Sequence, residues 1–239
     1  MISLRNLFRI TPLLIILLLA SGCRKNQFSL TGQIEGGAGS TLYMSWRAAS
    51  GTRDFMASQA VPLTASQFKV EGPVKKPSVI WVFSSGRKLL RAIYVERGDE
   101  LRAEGNMQQP LLWQISGNEV MEEVSEWAVA NEKALGGGAP VDVNAAVRAF
   151  AREHPGSRST LFLLFTLYDR ALDAKGFFRM LAECKDKEMM AEMKEACLEP
   201  VDSASVSLPA DMQRRIREVL EPDSVSVAPD TTRQKSKQF

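Results

Sequence analysis

Apolar positions follow three different spacings along this chain, and each spacing predicts a different kind of element. From Ile10 to Ala20 they run together with Thr11 as the polar exception, including Leu-Leu-Ile-Ile-Leu-Leu-Leu at 13–19. About eleven residues suit the core of a signal peptide and fall short of the ~20 needed to span a bilayer. From Phe28 to Ser116 the pattern changes to short alternating runs separated by turn residues, which predicts antiparallel strands. These runs are 28–34, 42–46, 55–61, 68–70, 78–83, 89–95, 101–103 and 111–115. The run from Ser78 to Phe83 is nearly all apolar, as expected of a strand buried on both faces. Eight strands at this spacing predict a β-sandwich or small barrel over residues 28–117.

After Gly117 the spacing lengthens to three and four residues, and residues 118–200 read as a helical region. Asn118 is placed to cap a helix that carries Val120, Met121, Val124, Trp127 and Ala128 on one face and runs to about Leu135. Gly136-Gly137-Gly138 ends it. Asp142 is expected to cap a second helix ending near Glu153, and Ser157 or Ser159 to open a strongly apolar one from Thr160 to Leu172. Phe177–Ala182 and Met189–Leu198 predict two further amphipathic turns. Residues 201–239 read as a mostly disordered tail: a short helix is expected at Asp211–Leu220, and residues 221–239 lack the apolar content for a core. The predicted class is therefore α+β: an antiparallel sandwich or small barrel, then helices, then the tail.

Charge changes this picture little once the leader is set apart. Arg5 and Arg9 lie in the first 22 residues, which contain no acid, and removing these residues from the 239 leaves 217 with 28 basic and 28 acidic side chains. A neutral body offers no electrostatic footprint for nucleic acid. Residues 23–117 lean basic, with 12 cations against 7 acids, and residues 118–208 lean acidic, with 10 against 16.

Leu19-Ala20-Ser21-Gly22-Cys23, at the end of the leader, resembles the bacterial lipobox, in which a diglyceride joins the cysteine thiol before cleavage ahead of it. The leucine sits one place earlier than the favoured position. The resemblance implies a signal peptide over 1–22, an acylated Cys23 as the mature N-terminus and a tether over 23–27. It also implies a membrane as the first partner and the cell envelope as the location, at the outer membrane facing the periplasm. More than one acyl chain makes such an anchor stable, since a single chain binds only marginally.

Candidate chemistry is sparse. Beyond Cys23 the cysteines are Cys184 and Cys197, with no C-x-x-C. Thirteen residues of continuous helix would separate those two by ~20 Å, too far for a disulfide, and no Gly or Pro marks a reversal near Met189-Met190. Buried thiols are expected. His154, the single histidine, stands at a helix end before Pro155, where it complements the carbonyl end of the helix; no second histidine completes a metal motif. The glycines at 36–39 lack the lysine of a phosphate loop and predict a hairpin turn. Arg97-Gly98-Asp99 matches an adhesion tripeptide but reads first as a turn. Trp46, Trp81 and Trp113 are expected to fill the core, although a carbohydrate platform would need them exposed together. Glu122-Glu123 and Asp186-Glu188 read as solvated helix surface, and the methionines at 180, 189, 190 and 193 as packing or an adaptable partner face. No cofactor site is predicted.

One family pattern covers about residues 28–135. Phe28-x-Leu-x-Gly-x-Ile, Leu42-Tyr43-Met44, Phe68-x-Val-x-Gly, Tyr94-Val95-Glu96-Arg97-Gly98-Asp99-x-Leu-x-Ala-x-Gly105 and Ile115-Ser116-Gly117-Asn118 occur in one order. This order resembles the domain of unknown function 4369, which commonly precedes a thioredoxin-like domain in bacterial lipoproteins. The stretch from Phe150 to Ser159 resembles the helical connector of those proteins, but no C-x-x-C follows it. The resemblance carries no catalytic residues. Together these readings predict a lipid-anchored envelope protein with a non-catalytic binding or structural accessory role and a protein partner in the envelope. The alternatives are an accessory to a thiol-disulfide oxidoreductase system and a glycan-binding lipoprotein.

Overall fold

The computed structural model describes residues 26–50, 53–137 and 139–197. The leader, Cys23, the expected helix at 211–220 and the tail lie outside the described residues. Within them, eight strands and then a set of helices follow in the predicted order. The strands are β1 (Gln27–Glu35), β2 (Thr41–Ser50), β3 (Arg53–Pro62), β4 (Gln67–Pro73), β5 (Ser78–Phe83), β6 (Leu89–Val95), β7 (Glu100–Asn106) and β8 (Gln114–Ser116).

They form two four-stranded sheets, ordered β4-β1-β7-β8 and β3-β2-β5-β6, so the sandwich of the two alternatives is realised. Alternation explains the layering. Phe28, Leu30 and Ile34 of β1 and Leu42, Met44 and Trp46 of β2 are all buried, and Phe28 meets Trp46 edge-on across the layers at 5.4 Å. Gly32 is needed opposite Phe68, since a Cβ there would stand 2.2 Å from the Phe68 ring. One pairing departs from the antiparallel expectation: β1 and β7 run parallel, with Leu30 opposite Leu101. The long excursion of the chain through the second sheet supplies the crossover that a parallel pair requires.

The helices are α1 (Glu119–Ala130), a single turn α2 (Glu132–Leu135), α3 (Pro140–Glu153), α4 (Arg158–Thr166), α5 (Ala174–Glu183) and α6 (Lys187–Ala196). Helix α1 packs along β8, the edge of one sheet, and reaches β6, the edge of the other. There Ser125 takes the place of a neighbouring strand. Its Oγ accepts the Ile115 N–H at 2.8 Å and donates to the Ile115 carbonyl at 3.1 Å. Across the gap, the Tyr94 N–H donates to the Met121 sulfur at 3.1 Å. Helices α4 and α6 cover the outer face of the second sheet. Tyr94 meets Phe162 of α4 edge-on at 6.3 Å, and Arg47 of β2 pairs with Glu195 of α6 at 2.8 Å. This second cover explains why β5 is buried on both faces.

Four boundaries differ from the expectation. The strand expected at 111–115 begins instead with a 3-10 turn at Pro110–Leu112, and β8 starts at Gln114. Trp113 turns inward between them, fully buried, with its indole N–H donating to the Asn106 carbonyl at 2.8 Å. The first helix breaks at Asn131, whose side-chain amide donates to the Trp127 carbonyl and competes with the backbone for it. Helix α3 starts at Pro140, and Asp142 occupies its third position, accepting the Ala139 N–H. Helix α4 stops at Thr166, well short of the expected Leu172. The buried Asn144 clamps the following loop by bonding both the N–H and the carbonyl of Asp169.

Candidate functional site

Two sequence features that lie 19 residues apart, at Asp99 and Asn118, meet in space. The turn after β6 is Glu96-Arg97-Gly98-Asp99, with Gly98 at a positive φ of 91° that a side chain would strain. Its Asp99 carboxylate turns inward, accepting the Glu96 N–H at 2.8 Å and the Asn118 side-chain amide at 2.6 Å. Asn118 in turn caps α1, its Oδ1 accepting the Met121 N–H at 2.9 Å, and its amide also reaches the Tyr94 carbonyl at 3.3 Å. Gly117, at φ 108°, lets the chain pass so close that a Cβ would lie 2.3 Å from the Glu100 carbonyl oxygen. Burial raises the Asp99 pKa above the ordinary carboxylate value, and the bonds from Glu96 and Asn118 oppose that rise. The adhesion-like tripeptide is therefore a turn whose aspartate is engaged within the fold.

A charged cluster continues from this joint toward the helices. Glu96 accepts the Tyr94 hydroxyl at 2.5 Å and Arg158 of α4 at 2.5 Å, and Arg158 also lies 3.5 Å from Glu192 of α6. Burial, then the bond and charge of Glu96, push the Tyr94 phenol pKa far upward, so it stays protonated. Each polar group in the cluster faces another. The arrangement ties the second sheet to two helices and has a plain structural account.

Arg91 is the unusual charge. It pairs across strands with Val82 and points between the sheets, 2 % exposed. Its Nη1 donates to the Leu111 carbonyl at 2.6 Å, which pins the 3-10 turn, while Nε and Nη2 have no hydrogen-bond partner among the described residues. Burial lowers its pKa to about 10. Sequence reasoning missed Arg91, because alternation places it on the core face without saying that a charge can stay there.

The other candidate residues are placed as follows. Cys184 and Cys197 are free and buried, and burial pushes the Cys197 thiol up to about 12. The break between α5 and α6 falls at Cys184–Asp186 rather than near Met189. His154 ends α3, exposed, with its ring stacked on Phe150 at 4.4 Å. Trp46, Trp81 and Trp113 are buried, as is Trp127, so the tryptophans fill the core and form no exposed platform. Met180 and Met193 are buried in the core, and Met189 and Met190 pack against it. The acidic pairs have local partners: Glu122 accepts the Gly117 N–H, Glu123 the Ser159 hydroxyl, and Asp186 caps α6.

Two surface depressions among the described residues are lined by charged and polar side chains. One, among Arg47, Asp54, Lys75, Lys76, Glu192 and Glu195, mixes both signs of charge; the other, among Gln33, Glu35, Glu104, Asn106 and Gln109, is polar and open. Among the described residues no group of three His, Cys, Asp or Glu is arranged to hold a metal ion, and no helix is long and apolar enough to cross a membrane. No protein-family model matches the chain, and neither does any curated protein.

Proposed function

We propose that the mature chain is a lipid-anchored protein of the bacterial cell envelope, held by acyl chains on Cys23. It acts at the outer membrane, facing the periplasm, as a binding or structural accessory without chemistry of its own. The observation that carries this reading is the leader, with its basic start, its eleven-residue apolar run and small residues directly before Cys23. The fold is compatible with it. The first described strand begins at Gln27, four residues after Cys23. The polar side chains of the β–helix joint bond one another across the sheet and two helices, which supports a scaffold role.

Intact-mass measurement of the detergent-extracted protein tests the anchor. The expected mass is that of residues 23–239 plus a diglyceride, with or without a further acyl chain, and Cys23→Ser should move the protein from the detergent phase to the aqueous phase. A Cys23→Ser variant that partitions like the parent would overturn the reading.

A further inference from the structure

We infer that β3 is a pairing edge for a second copy of this chain. Two β3 strands meet antiparallel about a two-fold axis and join two four-stranded sheets into one of eight strands. The sandwich leaves four strands at its sheet edges, β4 and β8 in one sheet and β3 and β6 in the other. Three of them carry a device that blocks further pairing. The Ser125 hydroxyl closes β8, while the Met121 sulfur and the Asn118 amide hold the Tyr94 N–H and carbonyl of β6. Strand β4 displays Lys69 and Glu71, paired at 2.7 Å, and ends in Gly72-Pro73, features that discourage a neighbouring strand. Among the described residues nothing guards β3 in this way. Its register against β2 runs unbroken over ten pairs, and the seven residues from Phe55 to Val61 include no charge, proline or glycine.

The backbone of β3 is phased for this pairing. The Leu63 N–H donates to the Ser40 carbonyl at 2.9 Å, one step beyond the Thr41–Pro62 pair, so 40 and 63 form a hydrogen-bonded pair. Antiparallel pairs alternate between bonded and non-bonded. Phe55, Ala57, Gln59 and Val61 therefore bond to β2, and Asp54, Met56, Ser58 and Ala60 direct their N–H and carbonyl groups outward. Arg47 agrees with this phase, since its N–H and carbonyl both meet the Ser78 hydroxyl on the β5 side of β2. Among the described residues the outward groups of β3 have no backbone partner. In a two-fold pairing centred on Ala57, Asp54 of one copy lies opposite Ala60 of the other, and Met56 opposite Ser58. All four outward N–H groups and all four carbonyls of each copy are then bonded. A shift that brought Asp54 opposite Pro62 would press the proline ring on the Asp54 carbonyl. Charge agrees with the antiparallel sense: Asp54 meets an uncharged end of the strand, whereas a parallel pairing would set Asp54 against its own copy. Phe55, 47 % exposed at this edge, gains cover from Gln59 of the other copy.

Sedimentation equilibrium of the full-length protein in density-matched detergent, combined with residue-resolved amide exchange, tests the pairing. At high concentration the expected species has twice the monomer mass. The amides of Met56, Ser58 and Ala60 should exchange several-fold more slowly there than after dilution to monomer. Ser58→Pro removes an outward N–H and leaves the ladder to β2 intact, so it should hold the protein monomeric with the remaining outward amides fast. Ser58→Lys serves the same purpose should the proline variant lose the fluorescence of the buried tryptophans. A monomer at every concentration overturns the inference. A dimer whose amides at 56, 58 and 60 exchange as fast as in the monomer also overturns it, by placing the contact elsewhere. Protection at these amides that survives dilution to monomer overturns the second copy as occupant and gives the edge to another segment of the same chain.

Discussion

Replacing Asn118 by aspartate should separate two jobs that its carboxamide performs together. As the cap of α1 it accepts the Met121 N–H, and an aspartate serves that role as well as an asparagine. As the joint to the β6–β7 turn it donates to the Asp99 carboxylate at 2.6 Å, which an ionised aspartate cannot do. Losing a hydrogen bond to a charged group costs about 1.5–3 kcal/mol. Two carboxylates at that separation add repulsion, limited because one of them takes up a proton. The expected loss at about pH 7 is roughly 3 kcal/mol, close to that of Asn118→Ala, which loses both the cap and the bond. Acid tells them apart. In the parent joint burial already raises the Asp99 pKa, and a second carboxyl group beside it raises the pKa of the pair further. A raised folded-state pKa gives stability that is present below the unfolded pKa and lost as pH climbs through the folded value. Asn118→Asp should therefore recover most of its deficit relative to the parent by about pH 4.5, while Asn118→Ala recovers only the share owed to the lost Asp99 bond and keeps the cost of the lost cap. Urea unfolding followed by the fluorescence of the buried tryptophans measures this. An Asn118→Asp protein as stable as the parent at neutral pH, or a deficit equal at both pH values, would refute the joint.

Three further outcomes are expected. Gly117→Ala should destabilise by about 3 kcal/mol or more in the same urea assay, since it strains a positive φ and drives a Cβ against the Glu100 carbonyl. Ser125→Ala should cost about 2–3 kcal/mol by leaving the N–H and carbonyl of Ile115 buried without their partner, and a loss under half a kcal/mol would show that β8 does not depend on α1. Cys197, with its thiol pushed up to about 12, should react with iodoacetamide near pH 8 on the order of a thousand-fold more slowly than in urea, followed by mass spectrometry; rapid labelling of the folded protein would revive the thiol-exchange alternative.

The strands were legible because alternation is a local property. Phe28, Leu30 and Ile34 had to share a face whatever they met, and the continuous run at 78–83 announced a strand covered on both sides. Asn118 could be recognised as a cap for the same reason. What covered those faces was not legible. The loop after α4 is held by Asn144, which sits on another helix, 25 residues before the Asp169 it bonds. The parallel β1–β7 pair depends on a register chosen across the whole sandwich. Nothing in the sequence singled out Arg91, whose burial follows from packing that brings its guanidinium to the Leu111 carbonyl.

By itself the sequence determined the order and type of the described elements and the scarcity of histidine and cysteine, all of which follow from residue type and near spacing. The tertiary structure decided that the Glu96–Asp99 turn and the Gly117-Asn118 step are one joint, and that Ser125 completes a strand edge. Those facts depend on atoms brought within about 3 Å by packing of distant segments, and no local pattern carries that distance.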